Sequence, residues 1–371
     1  MGDHLNEAFG PDSTRSSVID PNIRTEYRVP HAWVSSRSAR RGLLIALGAT
    51  VLLGVAARWQ PVAAATKTWT GAGATNNWSL GANWSGGTVP VAADTVVFDT
   101  TSVKNVTVDV NVSVVALTVS VGYSGTLTQA AGRTITVGAG GWSQADGLFI
   151  GGSSAITLNG PFNLSGGSFT STSGILTVTG GFTHSAGVLT ASAGTVSLAT
   201  SAATIDVPGT ESFLNLTIAS GAKTIAPGDT LIVTGALVLT AGSLNGTGTL
   251  EAQGSISQAS TFGGGTATLL IDGTADQTLT GTATTTAGGL PVVIIAKPSG
   301  TLTLAGTIRT TRNWTYTSGA LSTAGSTLVF AGGTVSAAGM AFQDVMVRSG
   351  TVTETLVSRN RRLAAGAVRR T

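Results

Sequence analysis

Apolar and polar positions alternate with a period of two along most of this chain. Val106-Thr107-Val108-Asp109-Val110, Thr134-Ile135-Thr136-Val137, Ile175-Leu176-Thr177-Val178 and Thr301-Leu302-Thr303-Leu304 each set an aliphatic residue at every second position. That spacing sends alternate side chains to opposite faces of a strand. Val, Ile, Leu and Thr suit such a pleated, half-buried surface. Turns rich in Gly, Ser, Asn and Ala part the runs at intervals of about 8–12 residues, the rhythm of short strands. No sustained 3.6-residue period with helix caps occurs, and Pro208, Pro227 and Pro298 fall in turns. The pattern predicts an all-β protein.

A longer repeat overlies the alternation. Thr195-Val196-Ser197-Leu198, a turn and Phe213-Leu214-Asn215-Leu216-Thr217-Ile218 return as Ser326-Thr327-Leu328-Val329-Phe330, a turn and Phe342-Gln343-Asp344-Val345-Met346-Val347. A degenerate middle copy runs from Thr268-Leu269-Leu270-Ile271 to Leu290-Pro291-Val292-Val293-Ile294-Ile295. Self-similarity on this scale marks stacked repeat architectures. The expected fold is a right-handed parallel β-helix, or solenoid, over residues 101–357. Coils of about 20 residues would stack about 4.8 Å apart, giving about 14 coils. An array of antiparallel β-sandwiches is the alternative, because alternation suits antiparallel sheets as well.

Residues 66–100 differ from the rest. They hold Trp69, Trp78 and Trp84, and Asn77-Trp78-Ser79 recurs six residues later as Asn83-Trp84-Ser85. A solenoid's open ends would template aggregation unless covered, so this segment is expected to be the N-terminal cap. Its Trp-Thr-Gly…Asn-Trp-Ser…Asn-Trp-Ser-Gly-Gly…Val-Pro…Asp-x-Val-Val-Phe-Asp pattern resembles the opening of large bacterial secreted surface proteins. The later Phe-x-Asn-Leu-x-Ile and Trp-Thr-Tyr-Thr-Ser-Gly-x-Leu units resemble their filamentous, autotransporter-like, adhesin-like β-strand repeats. The resemblance covers residues 67 to about 357. It implies the fold; the repeats and the lack of catalytic clusters lead to the expectation of a secreted or cell-surface structural and adhesive protein that meets its partners on flat strand faces and carries out no catalysis.

The N-terminal region fits that destination. Arg37, Arg40 and Arg41 precede an apolar run from Leu43 to Ala57, followed by Pro61 and Val62-Ala63-Ala64-Ala65. Basic flank, apolar core, helix breaker and small-residue site are the layout of a secretory signal peptide. The run of 15 residues spans about 22 Å as a helix, short of the roughly 20 residues of a membrane span. Residues 42–65 are therefore expected to be a signal segment cleaved near Ala65, after a polar leader over 1–41. A membrane is expected only through that segment if it is left uncleaved.

Composition narrows the rest. With no cysteine, an exported chain must be stabilised by burial and backbone pairing, and thiol catalysis and thiolate metal sites are excluded. The net charge of +3 comes from the chain's two ends. Between Thr66 and Val357 there are 12 acidic and 8 basic residues, a balance of −4, whereas residues 358–371 hold five arginines and no acid. That last stretch reads as a separate basic tail at a truncated or frameshifted end. The body lacks the basic stripe that a nucleic acid needs. Expected partners are polysaccharide, host matrix or other cell-surface components, with end-to-end or lateral self-association through the solenoid itself.

Candidate chemistry is sparse. His184 is the one histidine after the signal segment, and neither H-x-x-H, H-E-x-x-H nor G-x-S-x-G occurs, so no metal or cofactor is expected. The acids Asp94 with Asp99 and Asp272 with Asp276 are the nearest carboxylate pairs, and glycoside hydrolysis needs two. Asp272 and Asp276 sit in or beside a turn, which favours backbone capping. Asp94 and Asp99 flank one strand at an odd separation that puts them on opposite faces. A polysaccharide-degrading β-helix is the alternative to the adhesive reading. A third reading is a carbohydrate-binding module in which Trp78 and Trp84 stack on sugar rings. The sequons at Asn105, Asn111 and Asn215 follow from the alternation and carry no weight.

Overall fold

A computed structural model describes residues 64–199, 202–337, 340–352, 357–363 and 369–370. The expected leader over 1–41 and all but the last two residues of the expected signal segment over 42–65 lie outside the described residues. The described chain is nearly all β in class and winds into a β-solenoid of about 12 turns. Every strand-to-strand pairing is parallel, each strand lying between those one turn before and one turn after it. The antiparallel sandwich array is thereby excluded.

The alternation explains the winding. Ile135, Ile156, Leu176, Val196, Leu216, Leu237, Ile256, Leu279 and Leu304 sit in one continuous register, one per turn. All nine are at most 2% exposed. A slip of one residue in any strand would carry its whole apolar set to the solvent side. Phenylalanines fill a second part of the interior. Phe149 and Phe169 stack with centroids 4.7 Å apart at 25°, and Phe162 and Phe182 lie 5.0 Å apart at 30°. Stacked, offset rings of this kind add to the energy of burial.

Corners are set by glycine where backbones crowd. Gly147, Gly167 and Gly187 follow one another a turn apart, with φ of 65°, 69° and 93°. A Cβ on Gly167 would stand 2.3 Å from the carbonyl oxygen of Gly147, and one on Gly187 would stand 2.6 Å from that of Gly167. Only glycine meets both demands. Elsewhere asparagine and aspartate clamp one turn to the next. The side-chain oxygens of Asn105, Asn111, Asn215, Asp276 and Asn313 accept the backbone N–H of Thr126, Thr134, Ala236, Thr301 and Thr334 at 2.7–3.1 Å. The three sequon asparagines thus have a structural task that the alternation alone did not reveal.

Turn length is less regular than expected, which lowers the turn count. Trp142 to Phe162 and Phe162 to Phe182 take 20 residues each. The first turn, Thr66 to Thr95, takes 29, and Leu279 to Leu304 takes 25. The long sequence repeat is a pair of neighbouring rungs. In all three copies its two halves lie one turn apart and in register, as Val196 with Leu216, Leu269 with Val293 and Leu328 with Val345. The ladder also runs on past residue 357. Val357–Leu363 pairs with the strand from Ala341, and Arg369–Arg370 pairs with Thr351 and Val352. The described residues of the expected basic tail thus pair with the ladder.

If the aliphatic column carries the stability, Leu216→Ala should destabilise the fold by about 2–5 kcal/mol, the usual range for a buried leucine. Thr217→Ala, on the outer face of the same strand, should stay within about 0.5 kcal/mol. Urea unfolding of the two variants checks this contrast.

Candidate functional site

The first turn places the three N-terminal tryptophans. Thr66–Thr68 pairs with Thr95–Val97, and the residues between double back so that Asn77 bridges to Thr107. Trp69, Trp78 and Trp84 are 0%, 1% and 2% exposed. Trp84 packs edge-on against Trp69 at 5.1 Å and Trp78 at 4.6 Å, and all three surround Phe98. The indole N–H of Trp84 donates to the Trp78 carbonyl at 2.8 Å, and that of Trp69 donates to the Lys104 carbonyl at 3.0 Å. Asn83, fully buried, holds the loop with its amide: it donates to the carbonyls of Thr75 and Asn77 and accepts from the Gly73 N–H. The segment is a cap whose indoles fill the first turn. Stacking on sugar needs an open indole face, and neither Trp78 nor Trp84 has one. The glycan role considered for these two residues is therefore corrected to a packing role.

The sequence-paired acids separate in function. Asp94 is buried and accepts the N–H groups of Ala65 and Val91, while Asp99 accepts that of Thr101. Both close turns. Asp276 clamps the turn of Thr301, as described. Asp272 is different, because the fold brings Glu251 beside it from the preceding turn. Burial comes first and the negative charge of Glu251 second in raising the Asp272 carboxyl from its ordinary 3.8 to about 6. Lys297 offsets part of this. Its own ammonium is turned inward, donating to the carbonyls of Gly273 and Ala275 at 2.5 and 2.8 Å and to the Gln277 side chain at 2.5 Å. Burial pulls the Lys297 pKa down. Three acceptors hold this lysine as a corner strut.

A second titratable pair was invisible in the sequence, its members standing 27 residues apart. His184 Nδ1 lies 2.5 Å from Glu211 Oε2, and the residues are 6% and 7% exposed. His184 Nε2 faces the Gly187 carbonyl at 3.4 Å. The lone histidine is thus a satisfied interior residue. Its partner is less enclosed in one direction, because Glu211 lines an open hollow of about 390 Å³ together with Leu189, Thr190, Thr210, Ser212 and Leu214. Among the described residues no group of three or more His, Cys, Asp or Glu is placed to hold a metal ion.

The outer faces carry the most regular polar pattern. Ser113, Thr136, Thr157, Thr177, Ser197 and Thr217 stand in one register on the side opposite the aliphatic column. Ser113 is exposed and the other five are half-exposed. Adjacent hydroxyls repeat at the strand spacing of about 4.8 Å. Comparison of the chain with protein-family models, with curated proteins and with solved structures finds no match in any of the three. Among the described residues no helix is long and apolar enough to cross a membrane.

Asp272 links this region to pH. Its folded pKa lies above the unfolded value, so the stability it contributes is present below about pH 4 and is lost as pH rises through about 6. The melting temperature of Asp272→Asn minus that of the unmodified protein should therefore grow between pH 4 and pH 7. A difference that stays flat across this range would show that Asp272 titrates as an ordinary surface carboxyl. Separately, Trp84→Ala should cost about 3–5 kcal/mol, as loss of a fully buried aromatic does, which denaturant titration would register.

Proposed function

We propose that this chain is a secreted or surface-displayed β-solenoid with a structural and adhesive role, meeting its partners along flat strand faces. The observation that carries this reading is the outward hydroxyl row from Ser113 to Thr217, in register over six turns. A flat row of donors and acceptors at constant spacing suits an extended, repeating partner such as a polysaccharide, a matrix component or another cell-surface polymer. Its six positions act together only on a partner long enough to span them, so weak single contacts add through effective concentration. The export-signal layout of residues 42–65 and the resemblance to filamentous surface proteins support the same destination.

The enzyme reading is supported by one feature, the raised Asp272 carboxyl beside Glu251. A carboxyl with a raised pKa is the kind of general acid that glycosidic bond cleavage uses. This pair sits in hydrogen-bond contact, closer than the separation of about 5–9.5 Å at which two catalytic carboxyls flank a scissile bond. Release of reducing ends from a panel of polyuronates and neutral polysaccharides, abolished by Asp272→Asn, would establish that reading and displace the adhesive one.

Solid-phase binding to matrix proteins, polysaccharides and cells tests the adhesive role. Thr157→Lys with Ser197→Lys puts two bulky charges in the row, two turns apart, while leaving the interior untouched. Binding should fall at least about tenfold with unchanged melting temperature, the effect of losing multivalent contact. Binding that survives both substitutions would move the contact to another face.

A further inference from the structure

The hollow beside Glu211 lies at one of the ladder's register shifts, between Ala191 and Thr195, and its position follows from the register. From Phe182 to Ile205 the turn takes 23 residues, against 20 from Phe162 to Phe182. Val188–Thr190 pairs with Ser168–Thr170 on the turn before, and Thr210–Phe213 pairs with Thr230–Val233 on the turn after. Between these two strands themselves, register begins only at Ala191 with Phe213. Ahead of that point the two turns diverge and the hollow opens between them. Leu189 is only partly buried as a result, unlike its stack neighbour Phe169, which is fully buried.

The chemistry inside the hollow is specific. Glu211 sits at an inward-facing position that aliphatic residues fill elsewhere, in register with the fully buried Leu231. A carboxylate has about four acceptor positions. His184 occupies one at 2.5 Å and the Ser212 N–H another at 3.3 Å. The others are available toward the hollow, whose rim carries the hydroxyls of Thr190, Thr210 and Ser212 beside the apolar Leu189 and Leu214. No lysine or arginine lines it. We propose that this hollow is a binding site for a neutral sugar unit within an oligosaccharide. The Glu211 carboxylate would accept sugar hydroxyls, the rim hydroxyls would bond the remaining ones, and Leu189 and Leu214 would lie against the ring's C–H face. A volume of about 390 Å³ falls within the usual range for small-ligand sites, and its open side lets a longer chain pass through. The Glu211 carboxyl and the absence of any lysine or arginine in the lining disfavour uronates and phosphorylated sugars. His184 acts as a positioning residue that holds the carboxylate in place.

This site is independent of the hydroxyl row, so the two fail separately. The test is titration of the full chain with cellohexaose, xylohexaose and laminarihexaose, and with hexagalacturonate as the charged control, followed by amide NMR shifts and calorimetry. At least one neutral hexamer should give saturable shifts at Leu189, Thr190 and Ser212, and hexagalacturonate should give none. Glu211→Gln should weaken binding about tenfold, the loss expected for one charge-assisted hydrogen bond. Should that buried substitution impair folding, Ser212→Phe fills the hollow from its exposed rim and should abolish the shifts while the melting temperature holds. Absence of saturable shifts with all three neutral hexamers would overturn the proposal. So would equal binding of hexagalacturonate, or binding unaffected by Ser212→Phe.

Discussion

The structure depends on one constraint: each strand must pair in parallel with the strands one turn away while its inward side chains stack on their aliphatic counterparts. Backbone pairing along the stack and burial across it are then the same event, because only one register satisfies both. Ile156, Leu176, Val196 and Leu216 illustrate the coupling, four successive turns with the same inward residue class and a constant spacing of 20. Loss of register at any one of them would bury hydroxyls and expose aliphatics together.

The irregularities are informative against that regular background. Lys297 and Glu211 carry charged groups into the interior and meet partners there. Lys297 finds two carbonyls and a glutamine, and buried Gln277 donates in turn to the carbonyls of Ala252 and Gly254. A buried ammonium left without such partners would be far more expensive than the lysine is worth. Likewise Glu211 enters the interior only with His184 beside it and an opening to solvent at its other side. Lys297 and Gln277 thus meet their partners at a corner, and Glu211 lies beside the register shift between Ala191 and Thr195.

How much of this was legible beforehand varies by residue. Strand identity and the inward set could be read from alternation, since Leu176 and Val178 flank Thr177 in the sequence as they flank it in the fold. The parallel stack followed from the repeated Thr195-to-Ile218 unit. The tryptophan cluster marks the first turn in the sequence, but nothing local to Trp78 or Trp84 tells a buried indole from a sugar platform. What stayed hidden depends on contacts between distant positions. Glu251 beside Asp272 and His184 against Glu211 require knowing how many residues each turn takes, and a turn of 23 instead of 20 has no local signature. For the same reason Asn105, Asn111 and Asn215 looked like incidental sequons, because their acceptors' partners lie a full turn away.

The central claim is that successive turns stack in one parallel register, and the absence of native cysteine allows it to be measured directly. Pairs of nitroxide labels at Thr217 with Thr136 and at Thr217 with Ser113 span four and five turns of the same outward column. Pulsed electron resonance should return backbone-referenced distances of about 19 and 24 Å, growing by about 4.8 Å per turn. Distances that fail to grow with the number of turns between labels would contradict the account.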